Sequence, residues 1–285
     1  MAEMVGQLRN VNTGRTRALV VPREHGAWGL LLVPLVTGAC IGMPRGSQFS
    51  GLLLFLTASV ALFWLRTPVE SWLGTSPMRV QSASERRTVI RAAVAIGAIA
   101  ALSLAGLFWG GRNYGLLVVG AVAGTAFALQ GAVKLFGRRM RMAAQMIGAI
   151  GLTSTGAGAY CVTAGQLDER AVVVWAANWL FAGDQIHFVQ TRLHNSRLSG
   201  FAEKFSRAHA FFLGQFAMLV VVTWVAGLGF FPPFAALAFV PVVVRGVWWF
   251  FRKAEPLQLH WLGITELLHT ITFAVLLIAS FYVRP

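Results

Sequence analysis

One apolar stretch of the sequence contains a row of polar side chains whose types and spacing could do chemistry. Asp184, His187, Thr191 and His194 follow one another at steps of three and four residues, and Asn195 comes directly after them. At about 100° per residue these side chains share one face of a helix. Carboxylate and imidazole groups on one face can transfer protons, bind a metal or hold a polar ligand. The alternative is an interhelical hydrogen-bond stripe that only holds the protein together.

The last apolar stretch offers a second polar row. Glu266 and His269 lie one helical turn apart, with three threonines nearby and His260 at the boundary of the stretch. His187 and His269 on facing helices would also suit haem ligation. The candidate catalytic residues, which are also the possible metal ligands, are Asp184, His187, Glu266 and His269. A divalent metal and haem both stay open as cofactors.

Polar residues also mark the ends of other apolar stretches. Residues 22–29 read Pro-Arg-Glu-His-Gly-Ala-Trp-Gly, and a proline followed by an acidic residue suits a helix N-terminus. Arg66 and Glu70 lie at the end of the second stretch, where we expect Pro68 to break the helix. Since Arg66 and Glu70 are four residues apart, a simple ion pair is the alternative reading. The candidate substrate-binding residues are Glu24, His25, Arg66, Glu70, Thr191, Arg192, His194 and Asn195, and Gln130 and Gln145 are further candidates for hydrogen bonds to the same cavity.

The composition is that of a membrane protein. The chain is 56% hydrophobic and 12% charged with a mean hydropathy of +0.66, whereas soluble domains are about 25% charged. A helix of about 20 apolar residues spans the hydrocarbon core. We therefore expect an all-α integral membrane protein of about nine transmembrane helices, with a polar cytosolic segment at residues 1–21 and a single polytopic membrane domain at 22–285. The nine stretches are 26–43, 51–66, 92–109, 114–136, 143–164, 171–191, 209–229, 231–251 and 260–283.

The basic residues predict the orientation, because short cytoplasmic loops retain Lys and Arg. Of the 24 positive charges, 20 fall before the first stretch or in and beside every second connection after it, and Arg45, Arg112, Arg170 and Arg284 stand singly on the other side. This pattern places the N-terminus in the cytosol and the C-terminus outside. The net charge of +14 then indicates attraction to anionic lipid headgroups and not nucleic-acid binding. The inner connections at 67–91 and 192–208 are predicted to be the longest and most polar loops.

The residues that open the first stretch resemble a known family. The run Pro-Arg-Glu-His-Gly-Ala-Trp-Gly, followed by Leu-Leu-Leu-Val-Pro-Leu, resembles the bacterial YwiC-like membrane proteins, an uncharacterised multi-pass family of the plasma membrane. More distantly, nine helices with polar inner loops after the second and the sixth resemble the UbiA superfamily of intramembrane prenyltransferases. In that superfamily, Asp-rich motifs in those two loops hold magnesium and an isoprenoid diphosphate. By position these motifs fall on residues 66–72 and 184–197.

The UbiA resemblance implies a transferase that acts on a lipid-soluble substrate, such as an isoprenoid, quinone or haem-like molecule. The usual Asp-rich magnesium motifs are missing, because Glu70 and Asp184 are the single carboxylates of the two segments. Arg66 and Arg192 would then bind the anionic group directly, while the candidate catalytic residues supply acid–base or metal chemistry. The alternative function is a non-catalytic carrier, a proton-coupled transporter, or a haem- or metal-binding partner of a respiratory complex.

Overall fold

A computed structural model describes most of the chain. The described residues are 14–22, 25–45, 49–76, 78–109, 114–196, 198, 200–253 and 257–283. Of the predicted site residues, Glu24 and the side chain of His25 lie outside this part of the chain.

Within the described residues the architecture is helical, as predicted. A short helix covers residues 14–20, and each of the nine apolar stretches coincides with a helix. The nine longer helices are α1 (His25–Gly42), α2 (Phe49–Leu73), α3 (Ala83–Trp109), α4 (Tyr114–Lys134), α5 (Arg141–Ala164), α6 (Glu169–His194), α7 (Phe201–Gly227), α8 (Val240–Phe251) and α9 (Leu259–Tyr282). A 3₁₀ segment, Pro233–Phe239, leads into α8.

Seven helical segments are long and apolar enough to cross a membrane: all except α5 and α6, with the 3₁₀ segment counted together with the 12 residues of α8. Both α5 and α6 contain buried polar or small residues that lower their hydropathy. The segment 153–163 of α5 is buried throughout and rich in glycine, serine and threonine, and α6 buries Asn178 and Asp184. Helices that face protein and not lipid use small and polar residues for close packing and interhelical hydrogen bonds. Their 24 and 26 residues correspond to roughly 36 and 39 Å, longer than a hydrocarbon core of about 30 Å.

Two helix boundaries differ from the sequence prediction. Pro68 does not end α2, which continues to Leu73. The helix ends at Gly74, whose φ of 72° is the left-handed conformation that glycine adopts without strain. The N–H of Thr75 donates to the carbonyl of Glu70 at 3.0 Å and closes the last turn. At the start of α7, Ala208 has non-helical angles, so a kink separates the short helical segment 201–207 from the apolar part of the helix.

The predicted long inner loops are correspondingly shorter. Much of 67–91 belongs to α2 and α3, and much of 192–208 belongs to α6 and α7. The apolar run marks only the part of a helix that lies in lipid, whereas the helix itself continues into its polar flanks. That prediction of loop length was therefore wrong.

The chain divides into two compact units. The first comprises the described residues of Met1–Trp28 and Gln48–Arg112. In this unit, residues of the polar N-terminal segment contact α2 and α3. Arg15 Nε lies 2.6 Å from Glu85 Oε1 of α3, and Trp64 Nε1 of α2 donates to the carbonyl of Val20 at 2.8 Å. The Arg66–Glu70 pair, joined at 2.9 Å within α2, also belongs to this unit.

The second unit comprises the described residues of Gly29–Ser47 and Asn113–Pro285. Close helix packing and a buried aromatic cluster hold it together. A Cβ atom at Gly38 of α1 would overlap the carbonyl oxygen of Gly156 of α5, so the two backbones touch. Phe181 and Phe273 stack at 4.2 Å between ring centroids, and Phe239 packs edge-on against Phe273.

The turn between α5 and α6 is held by a polar cluster in the second unit. Arg45 Nη1 lies 2.7 Å from Asp168 Oδ2 and 2.7 Å from the Tyr160 hydroxyl. Tyr160 in turn donates to Asp168 at 2.9 Å. The other oxygen of Asp168 accepts from the N–H groups of Arg170 and Ala171, so Asp168 also caps α6.

Candidate functional site

The polar row of α6 faces two different environments in the second unit. Asp184 is buried among side chains from α7, α8 and α9. The later members of the row, His187, Thr191, His194 and Asn195, line a pocket. One row in sequence therefore contributes to two sites, a buried ion-pair network and an open cavity, which we describe in turn.

The buried network is centred on Arg245 of α8. Its Nη2 lies 2.6 Å from Asp184 Oδ2, and its Nη1 donates to Glu266 Oε2 of α9. The side chains of Arg245, Asp184 and Glu266 are only 8%, 3% and 8% exposed. We call these three residues the triad. A guanidinium between two carboxylates satisfies groups that would otherwise be costly to bury.

Amides and a hydroxyl group extend the triad. Gln215 of α7 donates from Nε2 to Asp184 Oδ1 and to the carbonyl of Val242, both at 3.0 Å. Gln185 donates to the hydroxyl of Thr270 at 3.0 Å and to the carbonyl of Glu266 at 3.2 Å. The Arg245 guanidinium carbon lies 4.0 Å from the centroid of the Phe188 ring. These contacts fix the rotamers of the triad and join four helices, α6 to α9.

The polar rows of α6 and α9 were predicted from the sequence, but the cation between them was not. Arg245 was counted among the basic residues of an inner connection. It lies inside α8, within the run Val-Pro-Val-Val-Val-Arg-Gly-Val-Trp-Trp. A lone arginine in so apolar a run needs a buried counter-ion, and that signal was available. Lys204, also assigned to an inner connection, is buried as well. Its Nζ donates to the carbonyl of Trp249 at 2.8 Å and to the carbonyl of Arg252 at the end of α8.

The pocket lies where α6 ends and α5 begins. Its volume is about 620 Å³, and its lining consists of Arg139, Arg141, Met142, His187, Gln190, Thr191, His194 and Asn195. Four of the predicted site residues are in this set. Arg139 and Arg141 come from the connection before α5 and were predicted only as markers of orientation. None of the described lining residues is acidic.

Local structure explains why these groups point to one space. A 3₁₀ turn, Arg138–Met140, precedes α5, and the N-cap residue Met140 supplies no side-chain hydrogen bond to the helix. At the facing end of α6, His194 Nδ1 lies 2.8 Å from the carbonyl of Gln190, and Gln190 donates to Gln145 Oε1 of α5 at 3.1 Å. His187, deeper on α6, packs edge-on against Phe211 of α7 at 5.3 Å.

The remaining predicted residues lie elsewhere. His269 Nδ1 is 2.7 Å from the carbonyl of Thr265 on its own helix. Arg192 is part of α6 but not of the pocket lining. Arg66 and Glu70 pair with each other in the first unit, as the simple ion-pair reading predicts. Glu24 and His25 cannot be placed against either site, because neither side chain is described.

The arrangement does not suit the magnesium site of the UbiA superfamily. Magnesium takes carboxylate oxygens together with substrate phosphates and water, yet both oxygens of Asp184 accept hydrogen bonds from Gln215 and Arg245. Glu70, the carboxylate of the other motif, pairs with Arg66. Among the described residues no three His, Cys, Asp or Glu side chains cluster in a way that could hold a metal. The carboxylates are engaged by protein cations instead.

The described residues form seven strongly apolar helical spans and contain buried polar groups. These features define a multi-pass α-helical membrane protein. A protein-family model described as YwiC-like protein matches residues 21–160. Over this segment, just under half of the chain, the resemblance to the YwiC-like family is confirmed, and the match begins at the motif that opens α1. It ends within α5, before the triad. Searches of the curated proteins and of the solved structures found no match.

Proposed function

We propose that this protein binds the anionic headgroup of a lipid-soluble molecule in the pocket between α5 and α6. The observation that carries the proposal is the lining, in which two arginines, two histidines and an asparagine meet with no described carboxylate. Arginine and protonated histidine donate charge-assisted hydrogen bonds to phosphate and carboxylate oxygens. A cationic ligand would find no counter-charge there.

The start of α5 adds to the same preference. The first N–H groups of a helix have no partner within it and carry a partial positive charge. Arg141 and Met142, the first two residues of α5, line the pocket, and the N-cap Met140 supplies no capping side chain. An anion at this position would accept from helix N–H groups as well as from the two arginines.

The surroundings of the pocket suit a ligand with an apolar tail. Leu135 and Phe136, just before the 3₁₀ turn, are each 77% exposed, and Met140 is 39% exposed. Large apolar side chains beside arginines are typical of the membrane–water interface, where a lipid headgroup and its chain meet different solvents. A transferase and a carrier, two of the functions that the sequence leaves open, both need this binding step. Direct binding by arginine and histidine needs no Asp-rich magnesium motif.

The proposal includes a nine-helix topology in the plasma membrane with the pocket on the cytosolic side. Support comes from contacts within the second unit. Asp168, in the turn after α5, is ion-paired with Arg45, which follows α1. Tyr282, at the end of α9, donates to the carbonyl of Cys40 near the end of α1 at 2.6 Å. The ends of α1, α5 and α9 thus share one side, and the pocket, at the start of α5 and the end of α6, lies at the opposite end.

Binding of a defined probe tests the proposal. Equilibrium dialysis of the protein in nanodiscs should show saturable binding of farnesyl diphosphate, weaker binding of inorganic pyrophosphate, and no competition by farnesol. Replacing both pocket arginines, as Arg139→Gln with Arg141→Gln, should weaken binding of farnesyl diphosphate at least about tenfold, since hydrogen bonds to charged groups contribute roughly 1.5–3 kcal/mol each.

A second double variant separates the pocket from general attraction. Arg86 and Arg87 are exposed residues of α3, and Arg86→Gln with Arg87→Gln removes the same charge from the molecule. This variant should bind farnesyl diphosphate like the wild type. Equal weakening by both double variants, or no saturable binding in the wild type, would show that the pocket is not a headgroup site.

A further inference from the structure

The charges of the triad do not balance when both of its carboxyl groups are ionised. Arg245 carries one positive charge, because a guanidinium keeps its proton in proteins, whereas Asp184 and Glu266 would carry two negative charges. All three side chains are at most 8% exposed. A net charge held away from water is strongly unfavourable. One more positive charge is required to make the group neutral.

The groups around the triad limit where that charge can lie. Gln185 on α6, Gln215 on α7 and Thr270 on α9 are neutral. The 3₁₀ segment that packs on α9 holds no titratable residue. Among the described residues, one titratable group outside the triad acts electrostatically on both carboxyl groups. This group is His269 on α9. Among the groups of the protein itself, the additional charge can therefore come only from a proton, bound either by a carboxyl group of the triad or by His269.

Hydrogen bonding distinguishes the two carboxyl groups. Each oxygen of Asp184 accepts a hydrogen bond, Oδ1 from Gln215 and Oδ2 from Arg245, and donors at both oxygens stabilise the ionised form. Glu266 accepts from Arg245 at Oε2, but its buried Oε1 has no partner among the described residues. Oε1 is thus the one carboxyl oxygen of the triad at which a proton displaces no existing donor.

We propose that the triad binds one exchangeable proton at Oε1 of Glu266. Uptake from water forms an O–H bond at this oxygen and leaves an Arg245–Asp184 ion pair beside a neutral carboxylic acid. Release returns the proton to water and leaves one uncompensated negative charge among four helices. This site is separate from the anion pocket, and the proposal does not rest on the function assigned to that pocket.

Infrared spectroscopy of the wild-type protein in nanodiscs at about pH 7 tests the assignment, since exposed carboxyl groups are ionised at that pH. We expect one carbonyl band of a protonated carboxylic acid. The chain has eight glutamates and two aspartates, so selective labelling separates the candidates. Labelling glutamate carboxyl groups with ¹³C should shift the band, and labelling aspartate carboxyl groups should not. Absence of the band, or a shift with labelled aspartate, would overturn the proposal.

Variants then test the charge balance. Glu266→Gln should remove the band. Asp184→Asn should also remove it, although Glu266 is still present, because Glu266 must then ionise as the single counter-ion of Arg245. His269→Gln should leave the band unchanged. Survival of the band in Glu266→Gln would assign it to another residue. A band that appears only when His269 is replaced would place the charge on the imidazole, and either result contradicts the proposal.

Discussion

At the scale of single residues, Arg245 is the group on which the buried polar network depends. It contacts Asp184 of α6 and Glu266 of α9 at once, and its ring contact with Phe188 holds the guanidinium in place. Removing one member of a buried ion pair leaves an uncompensated charge, whereas removing the whole group does not. The loss of stability caused by a substitution should therefore depend on whether it leaves a buried charge without a partner.

We expect Arg245→Met to destabilise the protein by about 3–5 kcal/mol, because the buried Asp184 carboxylate loses its counter-charge and Glu266 loses its hydrogen-bond donor. Asp184→Asn should cost less, since Arg245 keeps Glu266 as a partner. Thermal unfolding in nanodiscs measures both, and Arg245→Met should lower the melting temperature by on the order of 10 °C. A melting temperature within about 2 °C of the wild type would mean that the guanidinium does not hold the helices together.

The same residues show how far the sequence predicts a site. Asp184 and Glu266 were recognisable because a carboxylate is expensive inside an apolar stretch, and the structure joins them through Arg245. The sequence did not predict Gln215, whose amide is an unremarkable polar group until the packing of α7 on α6 is known. Spacing along one helix reveals a shared face. It does not reveal which helix that face contacts.

At the scale of helices, the close approach of α1 and α5 depends on glycine. A Cβ at Gly38 would overlap the backbone carbonyl of Gly156, an atom that cannot rotate away. We expect Gly38→Ala to destabilise the protein by roughly 1–3 kcal/mol, as overpacking does, measured by thermal unfolding. The matched control is Gly120→Ala in α4, where a Cβ would meet nothing within 4 Å. The control should be neutral or slightly stabilising, and equal losses in both variants would contradict the packing argument.

The α5–α6 turn should respond to pH through Asp168. Burial alone would raise the pKa of this carboxyl group, but hydrogen bonds from Tyr160 and from the N–H groups of Ala171 and Arg170, with the charge of Arg45, hold the pKa below its ordinary value. A depressed folded-state pKa contributes stability above the unfolded-state value of about 4, and this stability is lost as the pH falls through the folded-state pKa.

Asp168→Asn tests that dependence, because asparagine still caps α6 but cannot carry the charge. At neutral pH the variant should melt below the wild type. The difference should narrow as the pH falls below about 4, where the wild-type carboxylate takes up its proton. Melting temperatures across about pH 3 to 7 measure the difference. If the difference in melting temperature stays constant over this range, the ion pair between Asp168 and Arg45 is not its cause.

Helix positions were easier to predict than helix ends. Nine apolar stretches became nine helices because burying about 20 apolar residues in lipid requires a helix whatever their order. The ends depend on local chemistry. Pro68 was expected to stop α2, yet a proline near the end of a long helix removes only one hydrogen bond, and the stop came at Gly74 with its positive φ.

At the scale of the whole molecule, the open question of topology concerns α5 and α6. Seven helical segments qualify as membrane spans by length and composition, and α5 and α6 do not, because they contain buried polar residues. Seven and nine crossings are both odd numbers, so both place the two termini on opposite sides of the membrane. Tags on the termini cannot distinguish the two topologies. The turn between α5 and α6 can, because it lies outside only if both helices cross.

We therefore expect the α5–α6 turn to be accessible from outside the cell. In a background carrying Cys40→Ala and Cys161→Ala, which removes both native cysteines, Gln166→Cys places a thiol on an exposed residue of this turn. A membrane-impermeant maleimide should label it in intact cells. Ser82→Cys, exposed before α3 and predicted to be cytosolic, should react only after permeabilisation. Because Arg45 and Asp168 are ion-paired, the turn must lie on the side where α1 ends. Labelling of Gln166→Cys only after permeabilisation would contradict nine crossings and would leave seven.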